Sequence, residues 1–135
     1  MRKLDIFKKL RSSGLRPTKQ RVEIAKFLFE RDKTFHFTVE SLNKLLSKKT
    51  TSKFALATIY NTVHAFKKAG HLSEVEVRGK KTYFDTNITN HHHFFDSETS
   101  ELIDIDANEV IIQKIPKAPN GKKIKNIEVF INLKN

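Results

Sequence analysis

The basic charge of this chain stops near residue 86. Residues 1–86 hold 20 Lys and Arg against 8 Asp and Glu, while residues 87–135 hold 6 against 7. Codon bias toward lysine would spread the charge evenly, and here it does not spread. A length of 135 residues allows one domain or two small ones. The break in charge favours two, expected at 1–86 and 87–135. The first half, net positive, reads as the part that grips a polyanion, with double-stranded DNA the first candidate. The second half opens with the run Asn90-His91-His92-His93-Phe94-Phe95, which holds half of the six histidines. It reads as the part that senses.

Cysteine is absent. That excludes disulfides, Cys-ligated structural zinc, iron–sulfur clusters and thiol catalysis. The start, Met1-Arg2-Lys3-Leu4-Asp5, lacks the apolar core of a signal peptide. No apolar run approaches the roughly 18 residues that span a bilayer. The expectation is a soluble, cytoplasmic protein with no membrane partner. Neither a glycine-rich phosphate loop nor a nucleophile elbow occurs, so neither an enzyme nor a small-molecule substrate is expected.

The basic half reads as three substantial helices and a hairpin. A short amphipathic helix over Lys3 to Ser13 presents Leu4, Phe7 and Leu10 to the core and stops at Gly14. Thr18 caps a second helix with a broad buried face of Val22, Ile24, Ala25, Phe27, Leu28 and Phe29. Arg16, Gln20 and Arg21 crowd its start, where positive charge opposes the helix dipole, so they serve a partner. Thr34 to Phe37 reads as a loop, and Thr38 caps a helix with Leu42, Leu45 and Leu46 inside. Phe54 to Ala69 forms the next helix, ended by Gly70, with Ile59, Val63 and Phe66 inward. Thr58, Tyr60, Asn61 and His64 lie on its other faces, and such side chains reach base edges and phosphates in a major groove. Leu72 to Val77 and Thr82 to Asp85 alternate as two strands around the basic tip Arg78-Gly79-Lys80-Lys81. A hairpin after a recognition helix is a wing, so the first half is a winged helix-turn-helix.

The second half reads as a small α/β dimerisation domain, which makes the fold class α+β. The expected elements are a strand from His91, a turn over 96–100, a strand over Leu102 to Ile105, a helix over Asn108 to Ile115, and a closing strand over Ile124 to Leu133. About 45 residues bury little core alone, and an open edge strand invites pairing. A homodimer follows as the expected assembly. On a strand, side chains alternate, so His91 and His93 share a face with Cα atoms roughly 6.5–7 Å apart, and His92 points away. Two imidazoles on one face begin a site for zinc, iron, copper or nickel, with Asp85 as a hard oxygen donor.

Five segments, in this order and spacing, carry a resemblance. They are residues 14–21 (Gly-Leu-Arg-Pro-Thr-Lys-Gln-Arg), 57–63 (Ala-Thr-Ile-Tyr-Asn-Thr-Val), 81–87 (Lys-Thr-Tyr-Phe-Asp-Thr-Asn), 91–95 (His-His-His-Phe-Phe) and 101–105 (Glu-Leu-Ile-Asp-Ile). The chain resembles the ferric uptake regulator family of bacterial metal-responsive repressors, most of all its haem-responsive iron response regulator branch. The resemblance implies a regulator of iron and haem homeostasis. It gives Tyr60 the role of approaching thymines in the major groove and Arg16 that of reaching the minor groove. It implies an inter-domain sensing site at His36, Asp85, His91 and His93, and a haem site at His91, His92 and His93. The family's paired-cysteine structural zinc site cannot form, because Asp96 and Thr99 stand at its first pair. A further site using a last-strand histidine meets Ile127 instead. Without cysteine, any haem must be held by histidine. Three readings stay open: haem-modulated DNA binding, direct dependence on Fe(II), Mn(II) or Zn(II), and DNA binding with no effector.

Overall fold

The computed structural model describes residues 3–77 and 81–135, with side chains from Asp5 onward. Arg78, Gly79 and Lys80, expected at the tip of the wing, lie outside the described residues, as does the side chain of Leu4. The chain is α+β. It divides into two compact units, Met1–Ile88 and Thr89–Asn135.

The first unit is a winged helix-turn-helix. Its helices are α1 (Lys3–Ser12), α2 (Lys19–Phe29), α3 (Val39–Lys49) and α4 (Leu56–Lys68). Local chemistry sets their ends. After α1, the Leu15 amide bonds Leu10 O at 2.9 Å and the Gly14 amide bonds Arg11 O at 3.0 Å. That double closure needs a left-handed residue, and Gly14 supplies it at φ 84°. Gly70, at φ 87°, repeats the arrangement after α4. The Thr18 side chain caps α2, and Thr38 with Ser41 forms a capping box on α3.

Ile24, Leu28, Leu42, Leu46, Ile59, Val63 and Phe66 form the helical core, each at most 1% exposed. In α1 the inward pair is Ile6 and Leu10, at i and i+4, and Phe7 is only half-buried. The 3.6-residue period explains why a strict i, i+3, i+6 reading drifts off the buried face. Leu45 is likewise half-buried.

Strands β2 (Ser73–Glu76) and β3 (Thr82–Asp85) form the wing. The segment expected as a loop before α3 instead contributes a third strand, β1 (His36–Phe37), giving the order β1-β3-β2. Phe37 is buried and stacks on Phe84, with ring centroids 5.8 Å apart, and the Phe35 amide bonds Thr86 Oγ1. These contacts, not a strand-like sequence pattern, dock β1. Its register sets His36 opposite Asp85.

The second unit is a sheet in the order β5-β4-β6, built from β4 (His91–Asp96), β5 (Glu101–Asp106) and β6 (Phe130–Leu133). The β4–β5 pair is antiparallel and β6 runs parallel to β4. The helix expected over Asn108 to Ile115 does not form. Only a single 3₁₀ turn, Ala107–Glu109, appears, and Asp106 makes no capping bond. Val110, Ile111 and Ile112 are β-branched, and Pro116 steers Ile115 away from helical backbone. The last strand is also shorter than the expected 124–133, with Ile127 and Val129 outside it.

Candidate metal centre and nucleic-acid interface

In the first unit, α4 presents three faces. Ile59, Val63 and Phe66 turn into the core. Thr58, Asn61 and Thr62, at i, i+3 and i+4, turn toward the start of α2. There they line a recess of about 390 Å³ with Arg16, Thr18, Gln20 and Arg21. Six of the residues named from sequence as DNA contacts thus meet in one place, and Thr62 is an addition. Its sequence signal was the spacing from Thr58. The third face carries Tyr60, which is 53% exposed, and His64, with ring centroids 4.3 Å apart. These two share a second recess with Lys81 and Thr82 of the wing.

Arg21 is held in place at this surface. Its Nη1 donates to Arg16 O at 3.1 Å, and its backbone amide donates to Thr18 Oγ1 at 3.3 Å. No acidic residue stands in the first turn of α2 or α4. Positive potential at these helix starts is therefore unopposed locally.

Also in the first unit, His36 Nε2 lies 3.0 Å from Asp85 Oδ2. Asp85 is fully buried, and its Oδ1 accepts from the Asn87 amide at 2.8 Å. A carboxylate out of water needs such partners, because desolvation of the charge is otherwise costly.

In the second unit, the hairpin register sets His93 opposite Asp104. Asp104 Oδ1 then lies 3.2 Å from His91 Nε2 and 3.4 Å from His93 Nε2. The three donor atoms lie within 4.8 Å of one another. The His91 Nδ1 lies 2.6 Å from Thr89 O. A carbonyl only accepts, so Nδ1 carries the proton, and in the neutral ring Nε2 keeps its lone pair toward Asp104. His93 is 2% exposed and stacks on Phe130, with ring centroids 5.7 Å apart. Two imidazole nitrogens and a carboxylate oxygen converging this way match a divalent transition ion.

His92 has a different task. Its Nδ1 accepts from the Val129 amide at 2.9 Å, and the next backbone amide, of His93, donates to Val129 O at 3.1 Å. The middle histidine thus ties the chain entering β6 to β4. Asp104 is the donor that sequence reasoning missed. Nothing local marks it, and only the pairing across the 97–100 turn brings it to His93.

A sequence model of the ferric uptake regulator family matches residues 12–133. The chain belongs to the ferric uptake regulator family. It is 33% identical over 98 residues to the ferric uptake regulation protein of Rhizobium leguminosarum bv. viciae, covering 72% of this chain and 67% of that one. It is 32% identical over 95 residues to the peroxide-responsive repressor PerR of Staphylococcus epidermidis, covering 70% of this chain. The match spans only 61% of that repressor's length. Among solved structures it is similar to the ferric uptake regulator of Pseudomonas aeruginosa with manganese. There the TM-score is 0.69 at 22% identity, over 95% of this chain and 96% of that one. The family is one of regulators, not enzymes. Among the described residues, no helix is long and apolar enough to cross a membrane.

Proposed function

We propose that this chain is a DNA-binding transcriptional repressor whose affinity for its operator is set by a divalent metal ion. The observation that carries the reading is the single carboxylate oxygen of Asp104 within 3.4 Å of two imidazole Nε2 atoms. Fe(II), Mn(II) and Zn(II) all suit a mixed nitrogen and oxygen donor set. His36 and Asp85, the remaining members of the ligand set implied by the resemblance, are proposed to complete the coordination. Filling the site with an ion would shift the population of DNA-competent molecules.

The reading expects a homodimer, supported by exposed apolar residues in the second unit: Ile103 (45%), Ile111 (90%), Ile115 (49%) and Ile131 (40%). Two copies would place two winged helices on paired half-sites.

The haem reading finds less support in the residues. His91 and His93 turn their Nε2 atoms toward one point, where Asp104 sits. His92 is 5% exposed, with Nδ1 committed to Val129. A macrocycle needs an open slot and an axial nitrogen directed into it. Three buried rings held in this way support a bare ion over haem.

Duplexes selected from a random library by the metal-loaded protein provide the test. Their affinity is measured with Mn(II), after chelation, and with haem. The proposal expects tighter binding with Mn(II), loss on chelation, and no Soret shift that depends on His91–His93. A second reading, response to peroxide, is favoured by the name of the Staphylococcus relative. It expects Fe(II)-loaded protein, and not Mn(II)-loaded protein, to lose DNA affinity on treatment with peroxide.

A further inference from the structure

We propose that Phe130 is a positioning residue of the candidate metal centre, so that seating of β6 and uptake of the ion form one linked equilibrium. The inference rests on the metal reading of His91, His93 and Asp104 above and gives that site a regulated element, the last strand.

The His93 ring is flanked on two sides. The Phe130 ring stacks on it, with centroids 5.7 Å apart and planes 19° from parallel. The His91 ring meets it at 4.6 Å, tilted by 61°. An imidazole turns on a broad torsion at its ring bond, so the groups beside it decide where Nε2 points. Here His93 Nε2 faces Asp104 Oδ1 at 3.4 Å. Metal affinity depends on ligand rings being held in this way by the groups around them. For His91 a backbone carbonyl, Thr89 O, contributes to that hold. For His93 a flat apolar surface does so, and it comes from β6.

The strand that supplies Phe130 is lightly held. It has four residues, and Ile131 and Asn132 in its middle are exposed while Phe130 and Leu133 are half-buried. Among the described residues, 110–129 contribute no helix or strand to brace it. The chain has no cysteine with which a structural zinc could anchor it. Much of its attachment runs through the histidine strand. The Val129 amide donates to His92 Nδ1 at 2.9 Å, the His93 amide donates to Val129 O at 3.1 Å, and the register sets Phe130 beside His93. Past the strand, the Asn135 side chain donates to the Glu98 carboxylate. An edge strand with so little buried apolar surface belongs to the low-stability end of a fold.

His93 therefore meets β6 through its ring face and its amide, and the ion site through its ring edge. With Nε2 held by an ion, the ring stays in the plane on which Phe130 packs. With Phe130 seated, Nε2 stays where the ion binds. Each event must then favour the other by the same factor.

Titrations of the full-length protein with Zn(II) alone, without DNA, test the proposal. Phe130→Leu keeps apolar bulk and removes the flat ring, whereas Phe130→Tyr keeps the ring. Calorimetry should show Zn(II) affinity lowered by about tenfold or more in Phe130→Leu, the loss typical of a supporting partner. The visible bands of bound Co(II) should change in the same variant, and Phe130→Tyr should restore both affinity and spectrum. Amide exchange followed by NMR reads the reverse direction. Zn(II) should slow exchange at the Val129 amide of wild type by the factor that Phe130→Leu costs in affinity, and this protection should vanish in Phe130→Leu.

Wild-type affinity and Co(II) bands in Phe130→Leu would overturn the proposal. So would Val129 exchange that is indifferent to Zn(II), a measurement that needs no variant and decides the case if Phe130→Leu unfolds. Equal losses in Phe130→Leu and Phe130→Tyr would also overturn it, by reducing Phe130 to strand packing with no part in aiming His93. DNA affinity indifferent to metal would sink the repressor reading instead, and the Zn(II) and exchange data would still decide the role of Phe130.

Discussion

In the first unit, Ile59, Val63 and Phe66 are fully enclosed by helices whose ends are fixed by caps and glycines. In the second unit, the buried apolar residues among those described are Phe95, Leu102 and Ile105, while the three histidines are as buried as they are. One unit fills its interior with apolar packing around the buried Asp85, and the other shares its interior between three apolar residues and three imidazoles. A core of hydrocarbon resists change, because any lost methylene leaves a void. A core of polar donors has alternatives, since its stability depends on what sits among them. That difference is what allows one half to hold a fixed reading surface and the other to report on an ion.

The largest expected effect breaks the comparison at its rigid end. Phe66→Ala should destabilise the first unit by about 3–5 kcal/mol, whereas Ile111→Ala, at a residue 90% exposed, should stay within about 0.5 kcal/mol for the monomer. Urea titrations followed by probes in each unit measure both. Equal losses would mean that the second unit depends on apolar packing as much as the first.

The next effect is confined to the second unit. Asp104→Ala should lower metal affinity at least as much as the loss of a supporting partner does, about 10–100-fold. Calorimetric titration of Mn(II) or Zn(II) reads it. His92→Ala should disturb the β4–β6 connection, seen as faster amide exchange at Val129, before it disturbs metal binding. The opposite order would give His92 a ligand role.

Smaller effects sharpen the picture of the first unit. Thr18→Ala removes the cap on α2 and should cost about 1 kcal/mol, read by thermal unfolding.

His71 is held below the ordinary histidine range, first by burial and then by Lys9. Its ring lies 2.8 Å from Ser13 Oγ and edges onto Phe29 and Phe66. With the folded pKa lowered, the unfolded chain binds the proton more readily. Stability should fall as pH drops from about 6.5 toward the folded value and stay flat above it. His71→Gln should remove that slope.

Much of the first unit was legible because its signals are local. Gly14, Gly70, Thr18 and Thr38 each fix an end through their own backbone or side chain. The three faces of α4 follow from helical spacing alone. Strand β1 was not legible, since two residues carry no period and their place is set by Phe84 and Thr86, about 50 positions away. Asp104 was hidden for the same reason, because it reaches His93 through strand register. The expected helix near Ile111 shows the opposite fault. An apolar run suggested an element that β-branching and Pro116 work against.

The most direct measurement is the affinity of a selected duplex for wild type and for Asp104→Ala, each with Mn(II) and after chelation. The account predicts that wild type binds at least about tenfold tighter with the ion, a coupling of about 1.4 kcal/mol. It predicts that Asp104→Ala, folded and still able to bind weakly, shows no such difference. Equal affinity of wild type with and without metal would contradict it.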